Sequence, residues 1–334
     1  MSSVQTIAGV LLGTAIGDAL GLPHEGLHPE RIARRLARGP LRHQMFFGRG
    51  LVSDDTEHTS MVARALAEAD GNVDVFTRSF ARQLKRWVVA LPPGIGLATL
   101  RGGLRLLVGV NPGQSGVRSA GNGPAMRAAI LGVCARDDGH LVDLARASTH
   151  VTHTDPRAED GAILVARLAR QLSTTGPDPC IADEIRDPEF RQRVRDAWLG
   201  EYPGLEAYRS SAGYGRGVSG FIVDTVPAAV YCAARADDPR RALERAVRLG
   251  GDTDTTAAIV GALVGARVGV DGLPRDWLEG VCDWPVSTES LRALAEALAT
   301  GSSAPRQRWI ASIPRNLGVA ILIFGHLTLR LLGR

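Results

Sequence analysis

The chain of 334 residues contains one lysine, Lys85; all its other basic side chains are arginine. A bias that runs evenly through a whole chain reflects coding composition. The 39 basic residues face 35 acids, the arginines are dispersed, and the formal net charge is only +4. The pI of about 9.1 is therefore no electrostatic footprint for nucleic acid, which is not expected as a partner. The four cysteines, Cys134, Cys180, Cys232 and Cys282, lie far apart, with no CxxC and no Cys/His metal spacing. That excludes a cysteine-ligated metal site and a disulfide scaffold. They are expected as small core residues of a reduced, cytoplasmic protein. No uninterrupted apolar run reaches the ~20 residues that cross a bilayer. The apolar stretch 7–22 lacks a basic leader and carries Asp18, so no signal peptide is expected there. Runs of alternating residues long enough to anchor a sheet are also missing.

Helical periodicity fills the space those absences leave. In "TIAGVLLGTAIGDALG" (6–21) glycines recur at positions 9, 13, 17 and 21, and so share one helical face. Residues 257–269 repeat the device with Gly261, Gly265 and Gly269. Two such faces let helices approach closely, at a cost in helix propensity. The spacing also occurs in membrane helices, but Asp18 and Arg267 argue for a soluble core. Further helices are predicted over 56–70, 74–91, 124–136, 141–149, 158–173, 188–199, 224–236, 239–249 and 287–299. Loops are marked by "LPPGIG", "NPGQSG", "TTGPDP" and "SAGYGRGVSG". The pattern reads as one all-α domain over 1–300 and an extension over 301–334. The extension holds no acid and has an apolar stretch over 317–329. It fits a last helix packed on the domain, or a helix at a membrane surface.

The chemistry concentrates in "LGGDTDTTAAIVGAL", where Asp252 and Asp254 precede a long apolar run. Acids so close together repel and need compensation. They fit a helix cap, an exposed loop, or a cation site with the Thr255 hydroxyl as a further hard ligand. One capping aspartate is routine; two acids and a threonine exceed what a cap requires. A second cluster, "LVSDDTEHTS", sets Asp54 and Asp55 between Ser53 and Thr56, again just before an apolar helix. The two helix starts, about 200 residues apart, would share one or two cations if they met. Oxygen donors favour Mg²⁺ or Mn²⁺ over Zn²⁺. His58 reads as a satisfied helix residue.

Glu25, in "GDALGLPHEG" on the loop just past the first glycine-faced helix, is either a solvated acid or a general base reaching that centre. In "SAGNGPAMRAAILG" the small residues Ser119, Gly121, Asn122 and Gly123 form a loop ahead of a helix, a weak pattern for phosphate. His150 and His153 in "THVTHTDPRAEDGAI" could bind metal at their spacing of three, but no carboxylate ligand pattern accompanies them; a histidine lining a cleft is the simpler reading.

Taken together, "GTAIGDALGLPHEG", "SDDTEHT", "SAGNGPAMRAAILG", "THTDPRAEDGAI", "SGFIVDTVPAAVY" and "LGGDTDTTAAIVGAL" resemble the ADP-ribosylglycohydrolase family over residues 7–285. The resemblance implies a compact, single-domain, multi-helix orthogonal bundle with a binuclear metal centre of two divalent cations, Mg²⁺ or Mn²⁺. It implies hydrolysis of the N- or O-glycosidic bond of an ADP-ribosylated protein or small-molecule ADP-ribose derivative, and a monomer is expected. It makes Ser53, Asp54, Asp55, Asp252, Asp254 and Thr255 metal ligands, with Glu25 and Asp254 acting in catalysis. It sets the diphosphate on Ser119, Gly121, Asn122 and Gly123, a ligand contact on His153, and adenine against Phe221. Ser53 stands where many relatives have threonine, which preserves the hydroxyl. Gly94 stands where arginine-directed relatives often carry an acid. Two other functions compete: a non-catalytic ADP-ribose-binding or structural member of the fold, and a DxDxT phosphatase. The phosphatase motif belongs at the end of an apolar strand, whereas here "RLGG" precedes it late in a helical chain.

Overall fold

The computed structural model describes residues 3–236, 238–307 and 309–331, with side chains of the last helix described as far as Ile321. Its helices are α1 (Val4–Gly21), α2 (Pro29–Leu36), α3 (Asp54–Ala69), α4 (Val73–Val89), α5 (Leu97–Leu107), α6 (Gly123–Met126), α7 (Ala129–Cys134) and α8 (Asp138–His150). There follow α9 (Pro156–Leu172), α10 (Pro188–Leu199), α11 (Leu205–Ser211), α12 (Ile222–Ala234), α13 (Pro239–Arg248), α14 (Thr253–Val268), α15 (Arg275–Gly280), α16 (Thr288–Thr300) and α17 (Ser312–Leu331). Among the described residues only isolated bridges occur, with no strands, so the all-α expectation holds.

The two glycine-faced helices pack on each other, antiparallel, at the centre. Gly9 lies opposite Gly265, Gly13 opposite Gly261, Gly17 opposite Ala257 and Gly21 opposite Thr253. The approach is backbone to backbone. A Cβ built on Gly13 would sit 2.1 Å from the Gly261 carbonyl oxygen, and one on Gly17 would sit 1.9 Å from that of Ala257. The segment Val4–His24, which contains α1, is long and apolar enough to cross a membrane by composition, yet most of it is buried inside the fold. Around this pair α3, α7, α9, α12, α13 and α16 close a single core.

The packing has a directional consequence. The C-terminal end of α1 meets the N-terminal end of α14, where the Thr253 hydroxyl donates to the Gly21 carbonyl at 2.9 Å. The loop carrying Glu25 therefore emerges beside Asp252 and Asp254.

Three expectations need correction. The helix predicted over 124–136 is two short ones, α6 and α7, broken at Arg127–Ala128. There the Arg127 side chain drops into the core and bonds to Ser148, Thr152 and His58. Cys180 and Cys282 are exposed rather than core residues, while Cys232 is buried. Helices α2, α5, α11 and α15 lie outside the predicted stretches: α2, α11 and α15 carry too few periods to register, and the pattern of α5 is broken by Gly102 and Gly103. In the C-terminal extension Ser312, Asn316 and Val319 are buried, so the first turns of α17 pack on the domain. The rest of the apolar stretch 317–329 has its side chains outside the description.

The central contact predicts a sign reversal. Alanine is ordinarily the better helix former, yet Gly261→Ala places a Cβ 2.0 Å from the Gly13 carbonyl oxygen. We expect a loss of about 1–3 kcal/mol in urea denaturation, as in overpacked cores. Gly39→Ala, with nothing within 4 Å of the new carbon, should stay within ~0.5 kcal/mol.

Candidate functional site

The start of α3 is held from two directions. Ser53 occupies the N-cap, and its Oγ accepts from the Asp55 N–H at 3.2 Å. From α1 the fully buried Asp18 accepts from the N–H groups of Ser53 and Thr56, at 2.9 and 3.2 Å, and from the Thr56 hydroxyl. Asp18 thus caps a helix 35 residues away and fixes the first acid pair.

The start of α14 sits on a seam of three segments. Gly250 and Gly251 adopt φ of +71° and +76°, a region that glycine alone enters without strain. The Gly251 N–H donates to the Leu27 carbonyl, and its own carbonyl accepts from Gly26. The Asp252 N–H donates to Val218. Asp252 stands at the N-cap, yet its side chain makes no capping bond. Instead Asp252 Oδ2 accepts from the Asn122 side-chain amide at 2.6 Å, so capping does not account for this acid.

The two clusters meet. The Thr255 hydroxyl donates to Asp55 Oδ2 at 3.3 Å, and the Ser53 hydroxyl donates to the same oxygen at 3.0 Å. The other oxygen, Asp55 Oδ1, is buried without a hydrogen-bond partner. Burial pushes Asp54 up to about 8, reinforced by Asp18, Glu57 and Asp252. Asp55 and Asp254 are driven well above the ordinary carboxylate range by burial, and then by neighbouring acids, Glu25 among those acting on Asp254. Asp18 rises to about 6, burial outweighing its hydrogen bonds. Buried carboxylates that destabilise one another and leave an oxygen unpaired are a donor set suited to a hard cation. Among the described residues, no group of three His, Cys, Asp or Glu side chains is close enough to hold a metal by itself; the hydroxyls of Ser53 and Thr255 and the mixed acid set are what bring oxygen donors together here.

Beside this centre lies the loop 119–123. The Gly121 N–H is taken by Ser119 Oγ, and the Asn122 N–H by the Gly220 carbonyl. Beneath it sits the buried His153, whose Nε2 would be 3.1 Å from a Cβ at Gly121. Its Nδ1 is paired with the Thr152 hydroxyl at 2.8 Å. Burial, then the Arg127 charge, pulls His153 down to about 3, so the ring stays neutral. Phe221 pairs its backbone with Gly121 and leaves a ring that is 58% exposed at the rim. His150 is separate, in a surface network with Glu159. His58 is half satisfied: Nδ1 faces Arg127, and Nε2 has no partner. A cavity of about 610 Å³ between α3, α4 and the segment 303–312 includes none of these candidates.

Sequence reasoning missed three residues. Asp18 was legible as the one charged residue of α1. Arg127 and Arg315 are indistinguishable in sequence from dozens of surface arginines.

An α-helical core here brings two acid–hydroxyl helix starts together beside a small-residue loop, in a chain whose relatives are hydrolases. The chain belongs to the ADP-ribosylglycohydrolase family, whose profile matches residues 2–308, and it is a hydrolase. It is 30% identical over 303 residues to the ADP-ribosyl-[dinitrogen reductase] glycohydrolase of Rhodospirillum rubrum, covering 87% of this chain and 95% of that one. It is 30% identical over 307 residues to the ADP-ribosylarginine hydrolase Tri1 of Pseudomonas putida, covering 87% and 76%. A solved structure titled ADP-ribosylglycohydrolase-related protein complex superposes with a TM-score of 0.70 at 28% identity, covering 90% of this chain and 98% of that one.

The raised acids predict a pH dependence. For Asp54 the ordinary value is 3.8 and the folded value about 8. A group whose pKa is higher when folded stabilises the fold while protonated, and that contribution is lost as pH rises through the folded value. In EDTA the melting temperature should fall between pH 5 and pH 9, and Mg²⁺ or Mn²⁺ should flatten the fall. Thermal denaturation at fixed ionic strength checks this; a flat profile in EDTA would contradict it.

Proposed function

We propose that this hydrolase cleaves the glycosidic bond between ADP-ribose and a protein side chain or small acceptor, with two divalent cations, Mg²⁺ or Mn²⁺. The observation that carries the reading is the meeting of Thr255 with Asp55, which merges both acid–hydroxyl sets into one buried centre. Ser53, Asp54, Asp55, Asp252, Asp254 and Thr255 supply hard oxygen donors for the cations. Bound there, divalent cations would polarise ribose hydroxyls and lower the pKa of a water.

The remaining steps belong to the chain's own groups. Glu25 is exposed on a loop pinned to Gly251, beside Asp254. It accepts the proton of the attacking water or of a ribose hydroxyl. The bond breaks through an oxocarbenium-like state. With two backbone donors of the loop 119–123 already used, the diphosphate falls to the Ser119 hydroxyl and the Gly123 N–H. Gly121 and Asn122 shape the loop, and neutral His153 closes its floor. The half-exposed Phe221 ring offers adenine a stacking face. The relatives' names support an ADP-ribosylated protein as substrate, and one of them an arginine linkage. Gly94 is exposed, with nothing within 4 Å of where a side chain would stand, so an acid-guided grip on arginine is missing at that position.

The test is ADP-ribose release from arginine- and serine-linked substrates, with Mg²⁺, with Mn²⁺ and with EDTA. Release should need the cation and vanish in Asp254→Ala. In Glu25→Gln, kcat should fall about 10²–10⁴-fold with KM little changed. Tight ADP-ribose binding without release from either linkage would point to another acceptor or to a binding role. Release indifferent to both EDTA and Asp254→Ala would overturn the reading.

A further inference from the structure

We propose that Arg315, in the C-terminal extension beyond the family match, is a positioning residue for the first acid pair. This rests on the reading above that Asp54 and Asp55 help hold a cation.

Arg315 lies on the first turn of α17, seven residues past the matched segment 2–308. Its side chain is only 7% exposed. The guanidinium grips Asp283 as a two-pronged fork, Nε to Oδ1 at 3.1 Å and a terminal nitrogen to Oδ2 at 2.7 Å. That same nitrogen donates to the Val52 carbonyl at 2.5 Å, while Asp283 Oδ2 accepts from the Val52 N–H at 2.8 Å. Both backbone polar groups of Val52, the residue before Ser53, are therefore held by one ion pair. The other terminal nitrogen lies 3.4 Å from Glu57 Oε1, one turn into α3. The opposite oxygen of Glu57 accepts from the Trp87 indole at 2.6 Å. Asn316, next in sequence, anchors the helix by donating to the Ala90 carbonyl.

The entry to α3 is thus clamped between two acids of opposite provenance. Asp18 takes the N–H groups of Ser53 and Thr56 from the core side. Arg315 and Asp283 take Val52 and Glu57 from the other. A buried ion pair contributes little net stability compared with apolar packing, because desolvation offsets the attraction; its attested use is to fix one geometry. Here the geometry fixed is that of the segment carrying Ser53, Asp54 and Asp55. Lysine would keep the charge but cannot fork across Asp283 and reach Val52 together.

The test uses the full chain as Arg315→Lys and Arg315→Met, with Leu317→Ala, exposed at 66%, as the neighbouring control. Mg²⁺ and Mn²⁺ affinity is measured by calorimetry, ADP-ribose affinity in EDTA, and kcat and KM with the preferred substrate. We expect cation affinity about 10–100-fold weaker, the range for residues that orient metal ligands, with methionine the worse. ADP-ribose affinity in EDTA and KM should not change, since the hydrogen bonds of Arg315 go to Asp283, Val52 and Asn316 and not to the loop 119–123, and kcat should fall. Leu317→Ala should match the unaltered chain. If Arg315→Met does not fold, Arg315→Lys decides alone. Unaltered cation affinity in the folded variants overturns the role of Arg315 only. An unaltered chain that binds neither cation overturns this role and the reading it rests on.

Discussion

Everything at the candidate site depends on how closely two backbones can approach. α1 and α14 touch at four successive levels, Gly9–Gly265, Gly13–Gly261, Gly17–Ala257 and Gly21–Thr253, with a glycine of α1 at every one. No larger residue can enter that contact without pushing the helices apart. Because the pair is antiparallel, the end of one helix and the beginning of the other are delivered to the same place. The chain gives up helix propensity along α1 and α14 and gains a rigid axle on which a loop acid and two helix-start acids are mounted together.

That axle was plain in the sequence, since four-residue glycine spacing can mean little else on a helix. The acid pairs were also plain, because both stood at the head of apolar runs. Their meeting was not. Nothing local in "SDDTEHT" tells that Thr255, 200 residues on, donates to Asp55. The resemblance to a family supplied that connection. The broken helix at Arg127 escaped because its cause is tertiary: a buried guanidinium needs partners from α3, α8 and the loop after it. Arg315 escaped for the same reason. In a chain whose basic residues are nearly all arginine, a structural arginine carries no compositional mark.

Electrostatics sets the character of the centre. Asp18, Asp54, Asp55 and Asp254 are all held above the ordinary carboxylate range by burial. The buried guanidinium groups of Arg127 and Arg315 are committed to other bonds. Hydrogen bonds from Ser53, Thr56, Thr255 and Asn122 orient the acids without neutralising them. The protein has arranged a deficit of positive charge around these acids, with Asp55 Oδ1 buried among them and unpaired.

The seam at Gly251 has a mechanical side. One glycine is paired with Leu27 on one flank and Val218 on the other, a single-residue sheet inside an otherwise helical molecule. The Glu25 loop, the Asp252 loop and the segment leading to Phe221 therefore share one backbone joint. A side chain at Gly251, whose Cβ would lie 2.0 Å from the Val218 carbonyl oxygen, would disturb all three segments at once.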